Sequence, residues 1–191
     1  MGQLDFFQEP ELEAKAKQSL RPYQERIVQE AISALGLGKS PLIEAATGTG
    51  KTRIGAEIVR RMAGHRFLWL AHRTELLRQG AGQLAAVTAE YVGSESPDVH
   101  SAGERIVVAS KDTIRRPKRL ERLQQGKPFD VIVIDEAHHA AASSYQEILD
   151  AFPNSLRVGL SATPDRFDSR KLHCFDTVTT PYRIVESIGD S

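Results

Sequence analysis

The chain has 191 residues, 40% hydrophobic and 26% charged, which suits one domain with a substantial core and is too short for two large ones. Its 25 Lys and Arg balance 25 Asp and Glu, so a histone-like or tail-driven nucleic-acid binder is disfavoured, although a local basic groove is not. Cys174 is the single cysteine, which excludes an internal disulfide and suits a reducing cytoplasm; no secretory pattern opens the sequence and no apolar run is long enough to cross a bilayer, so no membrane partner is expected.

In chain order, residues 1–18 are rich in helix formers, with Pro10 near the start, and are expected to form a helical extension. Phe6 and Phe7 would pack back on the domain. PYQERIVQEAISALGLG follows, with Ile27, Val28, Ala31, Ile32 and Leu35 at helical spacing. Gly36 and Gly38 stand where a helix stops. The tripeptide Gly38-Lys39-Ser40 therefore closes a helix and enters a strand, the wrong order for a phosphate-binding loop.

The next run, PLIEA, is strand-like. AATGTGKT overlaps its end, and TRIGAEIVRRMAG continues with a helical pattern through Ile54, Ile58, Val59 and Met62. Strand, loop and helix now come in the order that aims backbone N–H groups at phosphate oxygens. Ala45 stands where the loop pattern opens with Gly, and is small enough to keep the turn. Gly48 and Gly50 supply the flexible backbone. Lys51 can reach β- and γ-phosphate oxygens, and the Thr52 hydroxyl can ligate Mg²⁺. A dinucleotide fingerprint is excluded, because Arg53 stands where its third glycine belongs.

Four more apolar runs follow, each ending in a polar cluster: RFLWLA in HRTE, RIVVA in SKDT, DVIVI in DEAHH and LRVGL in SATPDR. Helical stretches at 74–85 and 111–125 lie between them. Continuous apolar runs alternating with helices predict an α/β fold, a parallel sheet with helices on both faces. Ligands of such sheets bind at the carboxyl ends of the strands, so all the clusters should share one rim.

Asp135 and Glu136 follow the run DVIVI. One carboxylate can hold Mg²⁺ while the other orients or deprotonates a water. His138 and His139 stand close by, with His173 and Cys174 later, but the spacing fits neither an HExxH helix nor a zinc ribbon. The run IRRPKRLER, with Arg115, Arg116, Lys118 and Arg119, reads either as a solvated helix face, balanced by Glu121, or as a contact for a phosphodiester backbone. Aromatic residues make up 6% and scarcely interleave with the basic ones, which favours backbone tracking over base stacking.

TGTGKT, DEAHH and SATP, in that order, resemble motifs I, II and III of superfamily 2 helicases of the DEAD/DEAH-box type. LRPYQ resembles their upstream glutamine motif and ASKDT the motif that touches the nucleic-acid backbone. GLSATPDRFD with FDTVTTPYRIVESIGD is most similar to the group of restriction-enzyme translocation subunits and double-stranded DNA repair helicases. The resemblance implies a RecA-like three-layer α/β/α sandwich, the P-loop NTPase fold, over residues 19–180. Residues 181–191 would begin the link to a second RecA-like domain lying outside this chain.

The same resemblance assigns roles. Gln24 would read adenine, with Arg21 and Tyr23 bordering the base or phosphates. Thr47, Gly48, Thr49, Gly50, Lys51 and Thr52 would cradle the phosphates of ATP. Thr52 and Asp135 would hold Mg²⁺, and Glu136 would act as the base. His138, Ser161 and Thr163 would couple nucleotide state to grip on nucleic acid, and Arg73, Ser110 and Thr113 would contact the backbone. Two positions depart from the pattern: His72 replaces a usual Pro, and Asp112 replaces a usual Gln, where an acid would repel phosphate. The implied function is an ATP-dependent nucleic-acid motor, acting on DNA ahead of RNA and hydrolysing slowly without its second domain. A non-catalytic nucleotide-binding scaffold and an RNA helicase are the alternatives.

Overall fold

The computed structural model describes residues 19–71, 74–97, 99–101, 103–140, 142–162 and 174–179, with side chains in the helix from Thr74 described from Gly80 onward. The expected helix at 1–18 and the expected link at 181–191 lie outside the described residues. In chain order the elements are α1 (Pro22–Gly36), β1 (Pro41–Glu44), α2 (Lys51–Arg61), β2 (Phe67–Ala71), α3 (Thr74–Thr88), β3 (Val92–Glu95), β4 (Ile106–Ser110), α4 (Lys111–Ile114), α5 (Pro117–Gln125), β5 (Val131–Asp135), a 3₁₀ turn (Ala137–His139), α6 (Ser143–Ala151), β6 (Leu156–Ser161) and β7 (Thr177–Thr179).

The seven strands form one sheet in the order β3-β4-β2-β5-β6-β1-β7, and every pairing is parallel. Period-2 alternation splits each strand between two cores. Phe67, Trp69 and Ala71 of β2 face one cluster with Ile27, Ile54, Ile58 and Leu84 of α1, α2 and α3. Leu68 and Leu70 face the other, with Leu123, Tyr145, Ile148 and Leu149 of α5 and α6. Burial on both faces explains why these strands read as unbroken apolar runs. Among the described residues, no helix is long and apolar enough to cross a membrane.

Three elements differ from the sequence reading. The helical stretch expected over 111–125 is two helices, because Pro117 forces the residue before it out of the helical region, and Arg116 is extended at φ −63°, ψ 121°. Pro117 then opens α5, where its missing N–H costs nothing. The strands β3 and β7 escaped the reading because they are short, four and three residues, and sit at the sheet edges.

The stretch Gly38-Lys39-Ser40 does end a helix and enter a strand. Gly38 takes the left-handed conformation at φ +71°, and its N–H donates to the Leu35 carbonyl at 2.9 Å. Ser40 has a structural task at the opposite end of β1 from the candidate phosphate loop. Its N–H donates to Asp176 Oδ2 at 2.8 Å, and its Oγ accepts the Arg157 N–H at 3.0 Å. The serine thereby fastens the start of β1 between β6 and β7.

Candidate active site

The loop after β1 is built from backbone. The Ala45 N–H donates to the Ser161 carbonyl at 3.0 Å, which extends the β1–β6 ladder to the loop's first residue. Thr49 closes the turn, its hydroxyl donating to the Ala46 carbonyl at 2.6 Å. Gly48 and Gly50 are left-handed, at φ +86° and +85°, which an L side chain adopts only under strain. Gly50 precedes the first residue of α2 and offers no side-chain cap, so the leading N–H groups of α2 are left for an anion. Lys51 and Thr52 are the first two residues of that helix, both half-buried.

α1 grips this loop from the side. The Gln24 amide donates to the Thr49 carbonyl at 2.9 Å, and the Tyr23 hydroxyl donates to the same oxygen at 2.9 Å. Gln24 Oε1 accepts the Arg21 N–H at 3.0 Å. Each end of the Gln24 amide keeps one further hydrogen-bonding position. A Cβ on Gly50 would stand 2.7 Å from Gln24 Nε2, which adds to the strain that its φ of +85° would impose on any other residue. Arg21 is exposed at the mouth. An Arg61–Glu25 pair, bonded at 2.7 and 2.6 Å, ties α1 to α2 and holds the Glu25 carboxyl down to about 2.

Asp135 ends β5 on the same face as Val131 and Val133, the face that α2 covers. It is buried. Burial first, and the charge of Glu136 second, push its carboxyl above the usual range; the Glu136 N–H, donating at 3.0 Å, and the nearby Lys51 charge oppose them. A carboxylate whose charge is penalised by burial and by a neighbouring acid is one that a divalent cation would relieve. Glu136 adopts φ +56°, ψ 53°, a left-handed conformation unusual for a glutamate, and opens the 3₁₀ turn. Its Oε2 lies 3.3 Å from His138 Nδ1.

Ser161 is buried at the end of β6, in register with Glu44 and bonded through its carbonyl to Ala45. The fold thus brings Gln24, the loop 47–52, Asp135, Glu136, His138 and Ser161 to one rim. Ser110 and Thr113 are on the same rim at the end of β4, but they are buried and engaged with each other. Ser110 Oγ accepts the Thr113 N–H at 3.2 Å as the cap of α4 and donates to Thr113 Oγ1 at 2.8 Å. Arg73 and Thr163 lie outside the described residues, as do His72 and His173.

The basic run is mostly consumed by ion pairs. Arg115 donates to Glu147 at 2.9 Å. Arg119 is buried against Glu95 Oε2 at 3.1 Å and donates to the Pro97 carbonyl at 2.6 Å; Arg122 also pairs with Glu95. Glu95, fully buried on the edge strand β3, links Ser101 to Arg119 of α5. Arg116 and Lys118 remain exposed. Two buried polar groups near the rim went unread. Glu44, directly before the loop, has Oε2 without a partner among the described residues and a carboxyl pushed up by burial; a charge inside an apolar strand was the available signal. Tyr145 hid as one more ring in a helical stripe.

A family model described as type III restriction enzyme, res subunit, matches residues 17–166. The chain is 31% identical over 184 residues to the type I restriction enzyme EcoAI endonuclease subunit of Escherichia coli, which spans 90% of this chain and 23% of that protein. It is 29% identical over 160 residues to the DNA 3'-5' translocase XPB2 of Sulfurisphaera tokodaii, spanning 82% of this chain and 33% of that protein. The Sulfolobus solfataricus SWI2/SNF2 ATPase core, solved in complex with dsDNA, matches with a TM-score of 0.67 at 19% identity, over 82% of this chain and 34% of that one. This likeness shows the fold, the RecA-like α/β/α sandwich of P-loop NTPases. The chain spans about a quarter to a third of the length of the curated relatives it matches.

Proposed function

Because the chain belongs to the family of the type III restriction enzyme res subunit, we propose that residues 19–180 are the ATP-binding domain of an ATP-dependent helicase or translocase that acts on DNA. Residues 181–191 would lead to a second RecA-like domain. The observation that carries this reading is the single rim on which an uncapped helix N-terminus, a buried Asp135 and a neighbouring Glu136 meet. ATP with Mg²⁺ supplies the phosphoanhydride and the charge that this rim is suited to hold.

The N–H groups of residues 48–52 and the Lys51 ammonium bind the phosphates, while the Thr52 hydroxyl and Asp135 hold the metal. Glu136 takes up the proton of the attacking water, and its bent backbone fixes where that carboxylate points. Gln24 and Arg21 hold the adenine. His138, Ser161 and Thr163 relay nucleotide state, and Arg73, Ser110 and Thr113 contact the DNA backbone. For Ser110 and Thr113 this requires their mutual hydrogen bond to open. A second-domain arginine would add a factor of about 10³–10⁵ in turnover, as in related hydrolases.

The test is Glu136→Gln in the full-length protein. Nucleotide binding should persist while DNA-stimulated hydrolysis disappears. Unchanged hydrolysis would refute the assignment. Stimulation of the wild type by RNA but not by duplex DNA would overturn the substrate.

A further inference from the structure

Past Asp135 the chain leaves the sheet, and a turn takes the place of the ladder. Glu136 opens this turn in the left-handed region, and the His139 N–H returns to the Glu136 carbonyl at 3.0 Å. The turn ends at Ala140, whose N–H donates to the Ala137 carbonyl at 2.9 Å. A glutamate held left-handed persists only where its surroundings over-determine it. Bonds within the turn do not suffice, since they travel with it.

Gln146, the fourth residue of α6, reaches the turn from outside. Its half-buried amide nitrogen donates to the Ala140 carbonyl at 3.0 Å and to Cys174 Sγ at 2.9 Å. A primary amide has two N–H groups, one for each acceptor, and the carbonyl, which only accepts, fixes which way round the amide lies. Cys174 is itself anchored. It is buried, and the Phe175 ring beside it occupies the space over Gly159 of β6, where a Cβ would stand 2.6 Å from Phe175 Cζ. The Asp176 N–H then donates to the Ser40 carbonyl at 2.8 Å, and β7 pairs with β1 from Thr177 onward. One side chain thus connects the far end of the Glu136 turn to a segment laced by main-chain bonds to β1, the strand that carries the phosphate loop.

We infer that Gln146 is a positioning residue for Glu136: through Ala140 and Cys174 it holds the turn that aims this carboxylate in a fixed relation to the phosphate loop. Two acceptors on either side require two donors on one atom, which no apolar side chain of equal length supplies. This inference rests on the hydrolase reading and names a residue outside the reacting groups on which the geometry of that site depends.

The experiment compares Gln146→Met, Gln146→Glu and Cys174→Ala in the full-length protein. Methionine keeps the length and loses both bonds. Cys174→Ala removes only the weak sulfur acceptor and leaves the Ala140 bond. Gln146→Met should leave the KM for ATP within about twofold and lower DNA-stimulated kcat by roughly three- to tenfold, the scale of one hydrogen bond. Cys174→Ala should fall between it and the wild type. Gln146→Glu, nearly the same shape, sets a carboxylate against the Ala140 carbonyl and should lower kcat at least as far with KM again held; it carries the same readings if Gln146→Met does not fold. Rates are taken per folded molecule, counted by nucleotide titration, because a merely structural role would reduce only the folded fraction. Full kcat per folded molecule in the Gln146 variants, or a rise in KM that matches the fall in kcat, overturns the inference. The two readings fail separately: hydrolysis surviving Glu136→Gln sinks the function, whereas a dead Glu136→Gln beside a fully active Gln146→Met sinks only the role of Gln146.

Discussion

Gly55→Ala tests whether α2 is seated as closely on the sheet as the site requires. A Cβ at Gly55 would stand 2.6 Å from Trp69 Cη2 and 2.9 Å from Leu160 Cδ1. Carbon atoms pack at about 3.5–4.0 Å, so the shortfall is about 1 Å. Neither neighbour can swing aside, since Trp69 and Leu160 are both enclosed in the core. Overpacking against two fixed groups costs about 3 kcal/mol, at the upper end of such changes, and the better helix propensity of alanine returns about 1. The net loss of about 2 kcal/mol lowers the melting temperature of a chain this size by roughly 4–8 °C. The alternative to strain is for α2 to lift by about 1 Å, which moves Lys51 and Thr52 away from Asp135 and weakens nucleotide affinity by about tenfold or more. Thermal melts and nucleotide titration measure the two effects. Gly36→Ala, whose Cβ would meet nothing within 4 Å, is the control. A Gly55→Ala variant as stable as wild type, with unchanged affinity, would refute the close seating.

Two further outcomes follow from the two ends of β1 and from the buried carboxylate. Ser40→Ala should destabilise by about 1–2 kcal/mol, having lost a buried acceptor for the Arg157 N–H, while nucleotide affinity stays put in both Ser40→Ala and Lys39→Ala; Lys51→Ala should abolish binding, and a titration of the three variants distinguishes the two Gly-Lys tripeptides. Asp135 is raised in the fold above its ordinary 3.8, so the folded chain holds that proton more tightly than the unfolded one. Its contribution to stability is therefore full below 3.8 and is lost as pH rises through the raised value. Asp135→Asn should accordingly melt higher than wild type at pH 7 in the absence of Mg²⁺ and nucleotide, with less dependence on pH, and gain nothing from added Mg²⁺ with ATP. Melts from pH 4 to 8 check this, and a lower midpoint for the variant at pH 7 would contradict the assignment.

The rim was legible because its signals are local. A strand, a glycine pair and a helix in sequence dictate a backbone anion cradle whatever packs around it, and period-2 alternation dictates that Asp135 and Val133 share a face. The basic run stayed ambiguous for the opposite reason. Arg115, Arg119 and Arg122 look alike in sequence, but their acid partners, Glu147 and Glu95, lie 32, 24 and 27 residues away and are reached only through the fold. The strand carrying Glu95 was itself unread: Val92-Gly93-Ser94-Glu95 is short and poor in β-formers, and its pairing with β4 makes it a strand. The glutamine at 24 is a middle case. Its position was legible, and its grip on the Thr49 carbonyl was not.

The same distinction orders the site itself. Elements joined by main-chain bonds have their relation fixed by the ladder. Ala45 donates to Ser161 whatever side chains they carry, so the phosphate loop and the end of β6 move as one piece. The end of β4 is joined to that piece through β2 and β5, and the helix α4 that follows it meets α6 through side chains, among them the Arg115–Glu147 pair. Side-chain ties exchange partners at small cost, while ladder bonds break only with the sheet. A nucleotide-dependent rearrangement therefore has the most freedom at the α4–α6 contact, where the Arg115–Glu147 pair is exposed on both sides.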